Sequence, residues 1–354
     1  MSQRLIHLVA SNIEKAWDWE ALSANPCIRQ KDFEDYPFFP WSWAHASNNP
    51  NLSIDFVFSH PDWGWNYGAL SSNPNLTIRH IVANPSNTWN WATLSRHKNI
   101  TWDHIVSHQE LPWNRDTMGI NPNISMDVVL NNPIIPWNNF YVTYNPSITL
   151  EDIRQYPTYP WDWNTISSDK PLPGLTEEDI RNPSFQWNYS ALSASRYITL
   201  KLLDDCSDIP WDYMRLSHNP NMTLEYVLRH SGNPWDWDML TYALPVHGSI
   251  HVLKNLKYWH QNELSPIKLS YNQSLTLDDV LENPELEWSW PILSSSLTLQ
   301  SKDLLTAASS WNWSMLSTNR SLRLSMIDPV LPWDWSALSR NTFCKKEHVG
   351  SLVF

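Results

Sequence analysis

The sequence predicts an all-α fold: a superhelical solenoid of about fourteen 24-residue helix-turn-helix repeats. Three observations predict it. A tryptophan recurs at Trp17, Trp41, Trp65, Trp89, Trp113, Trp137 and Trp161, always 24 residues apart, and continues at Trp187, Trp211, Trp235, Trp259, Trp288, Trp311 and Trp333. A second aromatic usually follows two residues later, and these two columns hold 22 of the 24 tryptophans. Each unit also carries two prolines and two polar cap positions around short apolar segments, a pattern that contradicts the period-two alternation of strands. A fixed period of this length marks a repeat architecture, in which neighbouring units bury one another's apolar edges. On this reading residues 1–16 form an N-terminal capping half-repeat, and residues 17–354 form one continuous array of fourteen copies.

The unit reads P-W-[DN]-[WY]-x-x-L-S-x-N-P-N-[IL]-[ST]-[LI]-x-x-[VI]-[LV]-x-[NH]-P, and each part has a physical role. Asp18 is a good N-cap for helix one, with Trp17 and Leu22 as the hydrophobic-staple pair around it. Thirteen of fourteen copies carry Asp, Asn or Ser at that cap, and His260 is the exception. Helix one stops at Asn-Pro, as at Asn25-Pro26 and Asn73-Pro74, because the residue before proline disfavours helical geometry. Helix two starts from a second cap at Thr77, Thr101, Ser125, Thr149, Thr223 and Thr276. Its staples are Leu76 with Ile81, Ile148 with Ile153, Met222 with Val227, and Leu275 with Val280. Acidic first-turn residues such as Glu151, Asp152, Glu225, Asp278 and Asp279 suit the helix dipole. A second proline, as at Pro37, Pro61 or Pro85, ends helix two. Helices shorter than about 12–15 residues are marginal alone, so these are expected to persist only by stacking. The segment RLIHLVAS reads as a lone helix over the open edge of the first copy, and CKKEHVGSLVF as helix two of copy fourteen.

Composition narrows the function classes. An aromatic content of 13% excludes a disordered chain. With 36 acidic against 24 basic residues and a net charge of -12, the chain lacks the basic footprint of a nucleic-acid binder. No apolar run is long enough to span a membrane, and the N-terminal apolar stretch is too short for a signal-peptide core. Cys27, Cys206 and Cys344 are far apart and odd in number, so neither a disulfide framework nor a zinc site is expected. A reducing, cytoplasmic compartment fits best.

The W-[DN]-W-x-x-L-S-x-N-P-N-[IL]-[ST] unit, over residues 17–354, resembles the tryptophan-repeat family encoded by large DNA viruses, including entomopoxviruses and giant viruses. The resemblance implies a viral protein of host interaction or virion architecture, resident in the host cytoplasm or the virion. It carries over no functional residues.

No catalytic constellation appears. There is no G-x-S-x-G elbow, no H-E-x-x-H pair and no phosphate-binding glycine loop, and the chain has only seven glycines. Neither an enzyme nor a cofactor is expected. His80, His104 and His108 could meet a metal if stacked, but read more simply as helix residues lacking further ligands. The pairs Glu151/Asp152, Glu177/Glu178 and Asp278/Asp279 read as first-turn acids rather than acid–base couples. Asn-x-Ser/Thr at Asn51, Asn75, Asn99, Asn123 and Asn221 recurs at fixed phase, as turn and cap residues would.

The two columns differ in tolerance. The first is Trp in all fourteen copies, whereas the second is Trp eight times, Tyr three times, then Arg115, Asn139 and Gln261. A buried site would not accept Arg, Asn or Gln, because an unpaired buried polar group costs about 1–3 kcal/mol. The first column is therefore expected in the core and the second at its edge, where Trp and Tyr favour binding. Candidate binding residues are Trp91, Arg115, Asn139, Tyr141, Tyr144, Trp163 and Gln261. The expected function is a non-enzymatic scaffold for protein–protein interaction, with a host or viral partner bearing a basic surface, and with neither nucleic acid nor membrane. The alternatives are a virion or assembly spacer whose two ends dock, and an aromatic groove for glycan or peptide. Irregular copies, at Leu172–Gly174 and around Glu263–Lys268, are candidate binding loops.

Overall fold

The computed structural model describes residues 4–244 and 266–343. Among the described residues there are twenty-six α-helices of four to seven residues, two 3-10 turns and no strand. The fold is all-α. The chain divides into two compact units, residues 1–75 with 246–354, and residues 76–245.

The second unit shows the local logic most regularly. Copy nine begins at Trp211; its helix one spans Tyr213–Leu216 and its helix two Leu224–Arg229. Asp212 caps the first helix by accepting from the Arg215 N–H, and Thr223 caps the second by accepting from the Tyr226 N–H. Helix one packs against helix one of its neighbour: Tyr189–Ser193 lies against Tyr213–Leu216, and Asn139–Tyr144 against Trp163–Ser168. The first unit is built alike, with Trp19–Ala24 against Trp43–Ala46 and Trp290–Ser296 against Trp313–Ser317. Ser42 and Ser289 hold the cap position without a side-chain cap bond; the Ser42 hydroxyl instead meets His45 Nδ1 at 2.8 Å.

The fixed polar residues join one copy to the next. The serine ending helix one, Ser193, donates to the Tyr189 carbonyl and accepts the Asp212 N–H of the next copy at 3.0 Å. Ser217 does the same for Asp236, and Thr143 substitutes for serine under Asp162. The asparagine of Asn-Pro reaches backwards: Asn219 Nδ2 lies within 2.9–3.2 Å of the Ser193, Ser195 and Ile198 carbonyls. Asn145 repeats this on Gly119, Asn121 and Ile124. A helix end leaves orphan carbonyls, and here the following copy's asparagine satisfies them. The second asparagine adds to the joint, with Asn221 Nδ2 on the Arg196 and Ile198 carbonyls at 2.7 and 2.9 Å. A sugar on Nδ2 would remove one of these hydrogens, which favours the structural reading of the Asn-x-Thr pattern.

Two of the paired acids, Asp152 and Asp279, have a sharper role than dipole complementarity, and beside the pair Glu177/Glu178 it is the next residue, Asp179, that has it. Asp152, Asp179 and Asp279 accept the backbone N–H of Thr149, Thr176 and Thr276, closing capping boxes. His80 and His104 do the same through Nδ1 to Thr77 and Thr101.

Two irregular copies differ from their expected form. In copy seven Lys170 occupies the Asn-Pro asparagine position, is 3% exposed, and donates from Nζ to the Asn145 carbonyl. The insertion beside it is only partly a surface loop, since Leu172 is buried while Gly174 turns the chain at φ 78. In copy eleven helix one is Pro266–Leu269, so Pro266 holds the second-column register that counting from Trp259 assigned to Gln261. Gln261 and Trp259 lie outside the described residues, as does the segment CKKEHVGSLVF. The cysteines depart from expectation: Cys27 is disulfide-bonded and Cys206 is a buried free thiol, while Cys344 lies outside the described residues.

Candidate functional site

The first column is the core. Of its thirteen described members, ten are buried, from Trp235 at 5% exposure to Trp65 at 8%. Each described indole N–H is also committed. Trp89 Nε1 donates to the Asn84 carbonyl at 2.8 Å, Trp137 Nε1 to that of Asn132 at 3.0 Å, and Trp211 Nε1 to that of Cys206 at 2.9 Å. In these three the acceptor is the residue that bends the chain out of helix two, whereas Trp187 and Trp311 take the carbonyls of Asp179 and Asp303 within it.

The second column is half-buried at every position whose burial is described except Arg115, which is exposed. Its rings stand edge-on against the next first-column indole, as with Trp91 on Trp113 at 5.4 Å, Tyr213 on Trp235 at 5.1 Å and Trp313 on Trp333 at 5.1 Å. In two copies that lack the second ring the following indole loses cover: Trp137 after Arg115, and Trp288 after Pro266, are only half-buried, whereas Trp161 after Asn139 stays buried with Tyr159 4.5 Å away. Trp102 partly replaces the missing ring, 6.1 Å from Trp137. Trp113 is half-buried too, and nothing in its contacts explains why.

The proposed contact residues fall on consecutive helices one. Trp91 and Arg115 open the helices Trp91–Ser95 and Arg115–Met118, which pack together. Asn139 opens the next helix and accepts from the Tyr159 hydroxyl at 3.0 Å. Burial pushes the Tyr159 phenol up to about 12, so it remains a donor at neutral pH. Tyr141 and Tyr144 flank Phe140, at 5.3 Å edge-on and 6.0 Å stacked. Phe140 is 46% exposed and was missed by the column argument, because it falls between repeat positions. Trp163 packs on Phe185 and Trp187 at 5.2 and 5.3 Å. The result is a strip of half-exposed rings interrupted by one free-standing cation at Arg115.

Among the described residues there is no group of three His, Cys, Asp or Glu side chains placed to hold a metal. His108 Nδ1 meets Glu110 at 3.1 Å rather than His104. No helix among the described residues is long and apolar enough to cross a membrane. No family model, curated protein or solved structure matches the chain.

Proposed function

We propose that the chain is a non-enzymatic scaffold, a solenoid of about fourteen helix-turn-helix copies that presents its second aromatic column to a protein partner. One observation carries this reading. The fixed serines, asparagines and first-column tryptophans are turned inward or onto the neighbouring copy, whereas the second column stays half-exposed. Half-exposed Trp and Tyr supply large contact area at low entropic cost and dominate binding energy in protein interfaces. The strip from Trp91 through Arg115, Asn139, Tyr141 and Tyr144 to Trp163 is the proposed contact surface. The net charge of -12 favours a partner with a basic face. The resemblance to tryptophan-repeat proteins of large DNA viruses supports a host or viral protein as that partner.

The test compares the full chain with a Tyr141→Ser, Trp163→Gln double variant as bait in host-cell extract. A protein retained in stoichiometric amount by the parent and lost by the variant, at equal helical content, is the expected result. Equal retention by both, or recovery of glycan alone, would overturn the reading.

A further inference from the structure

The joint between successive copies has a fixed chemistry, and it recurs where the sequence supplies no preceding copy. Copy two shows the standard set. Trp41 Nε1 takes the Tyr36 carbonyl at the end of helix two of copy one, and the Trp41 ring meets Trp19 edge-on at 5.4 Å. The Ser42 N–H donates to Ser23 Oγ at 2.9 Å, and Asn49 reaches the Ser23, Asn25 and Ile28 carbonyls.

Copy one receives the same set from the two ends of the chain, all within the first compact unit. The Trp17 ring stands 5.0 Å from Trp335 at an interplanar angle of 68°. The Asp18 N–H donates to Ser339 Oγ at 3.0 Å, and Asn25 Nδ2 to the Ser339 and Asn341 carbonyls at 2.8 and 3.1 Å. Helix Trp19–Ala24 packs on helix Trp335–Arg340. The contribution of helix two comes from elsewhere: Trp17 Nε1 takes the Asn12 carbonyl at 2.8 Å, at the end of helix Leu5–Ser11. Asn12 leaves that helix at φ -137, ψ 42, close to Tyr36 at φ -125, ψ 57. Val9, eight residues before Trp17, is fully buried like Phe33 and Val57 in the same register.

We infer that the two ends of the chain jointly build one repeat. Leu5–Ser11 is the second helix of the copy whose first helix is Trp335–Arg340, and copy fourteen is thereby clasped onto copy one. Two ion pairs reinforce the clasp, Arg340 to Asp18 at 2.5 Å and Arg4 to the buried Asp32 at 2.6 Å. Lys15 lies over the Trp335 ring, 5.8 Å from its centroid. The only orphaned buried side-chain oxygen or nitrogen among the described residues is Asn341 Oδ1. In Asn219 and Asn319 that oxygen accepts the N–H two residues on, so the chain leaves the repeat path just after Asn341. The edges of copies one and fourteen at this joint are therefore occupied by each other. A spacer that docks through these two edges is disfavoured, and so is end-to-end addition of a second copy there. This holds whatever partner the aromatic strip takes.

The test is amide exchange on the full chain under reductant, which removes any contribution from the Cys27 disulfide. The expected result is that residues 5–24 and 335–341 are protected as well as interior copies, and that Ser339→Ala accelerates exchange at 17–24 about tenfold. Ser217→Ala should act likewise at 236–243 while leaving 5–24 unchanged. Fast exchange at 17–24 in the parent, or no response to Ser339→Ala, overturns the inference. A circular permutant, with the original ends linked and new ends opened at residues 157–160, provides an independent readout. It should stay monomeric and melt within a few degrees of the parent, and loss of its helical signal would overturn the clasp.

Discussion

Why the thirteen described first-column residues are tryptophan, rather than any large apolar residue, is answered by the indole N–H. The chain bends at the end of helix two and leaves a carbonyl there, and only Trp combines a core-filling ring with a donor at that reach. Trp89→Phe keeps most of the apolar contact and removes one of the two donors to the Asn84 carbonyl, which retains the Asn87 N–H at 3.3 Å, so it should cost about 0.5–1.5 kcal/mol. Trp89→Gln also loses the ring and should cost about 3 kcal/mol or more. Trp91→Gln gives up an edge-on pair with Trp113 and should cost only about 0.5–1.5 kcal/mol. Thermal unfolding of the three variants checks the order. Equal losses for Trp89→Gln and Trp91→Gln would mean that both columns are core. The different tolerance of the columns was legible in the sequence, since Arg115 and Asn139 occur only in the second. The indole donor was not, because its acceptor is a backbone carbonyl whose position no side chain announces. Lys170 was equally illegible, for an added residue before it hides its alignment with the asparagines. Burial holds its ammonium down at about 7, against an ordinary lysine value of 10.5, with Asp152 opposing. A folded pKa below the unfolded one means that the charged form resists burial. That cost is fully present below pH 7 and is relieved as pH rises from about 7 towards 10.5. The parent should therefore gain stability across that window, and Lys170→Met should lose most of the gain in melts from pH 6 to pH 10.

At the scale of the element, each helix is too short to owe its existence to itself. Helix one has four to seven residues and helix two four to six among the described α-helices of the copies, well below the length at which an isolated helix holds. Their ends are also where most of their bonding lies. The cap accepts one N–H, the terminal serine hydroxyl accepts the next copy's cap N–H, and the following asparagine collects the carbonyls. Caps, stops and staples were legible because they act within a few residues of themselves. Between successive copies the serine and asparagine ladders act across 17 to 26 residues, and their fixed phase in the sequence was visible without their purpose. Serine looked like a helix terminator and asparagine like a turn residue. Both are, yet their side chains are spent on the neighbouring copy. The histidines at 80 and 104 show the same limit: they read as helix residues rather than metal ligands, and that each closes its own capping box was not visible. The candidate strip was legible only at its repeat positions, and Phe140 became apparent only once its helix placed it between Tyr141 and Tyr144.

At the scale of the whole molecule, these ladders make the copies interdependent in a way that can be measured. Taken out of the chain, residues 211–234 of copy nine would lose the Ser193 acceptor for the Asp212 N–H and the three carbonyls that Asn219 bonds. Ser217 would lose the Asp236 N–H, and Trp235, which covers Tyr213, would be absent. Nothing remains to offset the entropy of ordering two helices of four and six residues. Stability in such arrays is a sum of intrinsic copy terms and nearest-neighbour terms, and here the intrinsic term is unfavourable. A peptide of residues 211–234 should therefore show a coil circular-dichroism spectrum. A fragment of residues 76–245, which forms a compact unit of its own, should be helical and unfold cooperatively. Its melting temperature should change only modestly between low and high salt, because the joints are mainly aromatic contacts and neutral hydrogen bonds, with ion pairs between copies at Arg154–Asp179 and Arg181–Asp208. A helical single-copy peptide would show that the copies fold independently and that the ladders merely decorate them. A fragment 76–245 that is coil, or that melts in proportion to salt, would locate the stabilising terms outside the joints described.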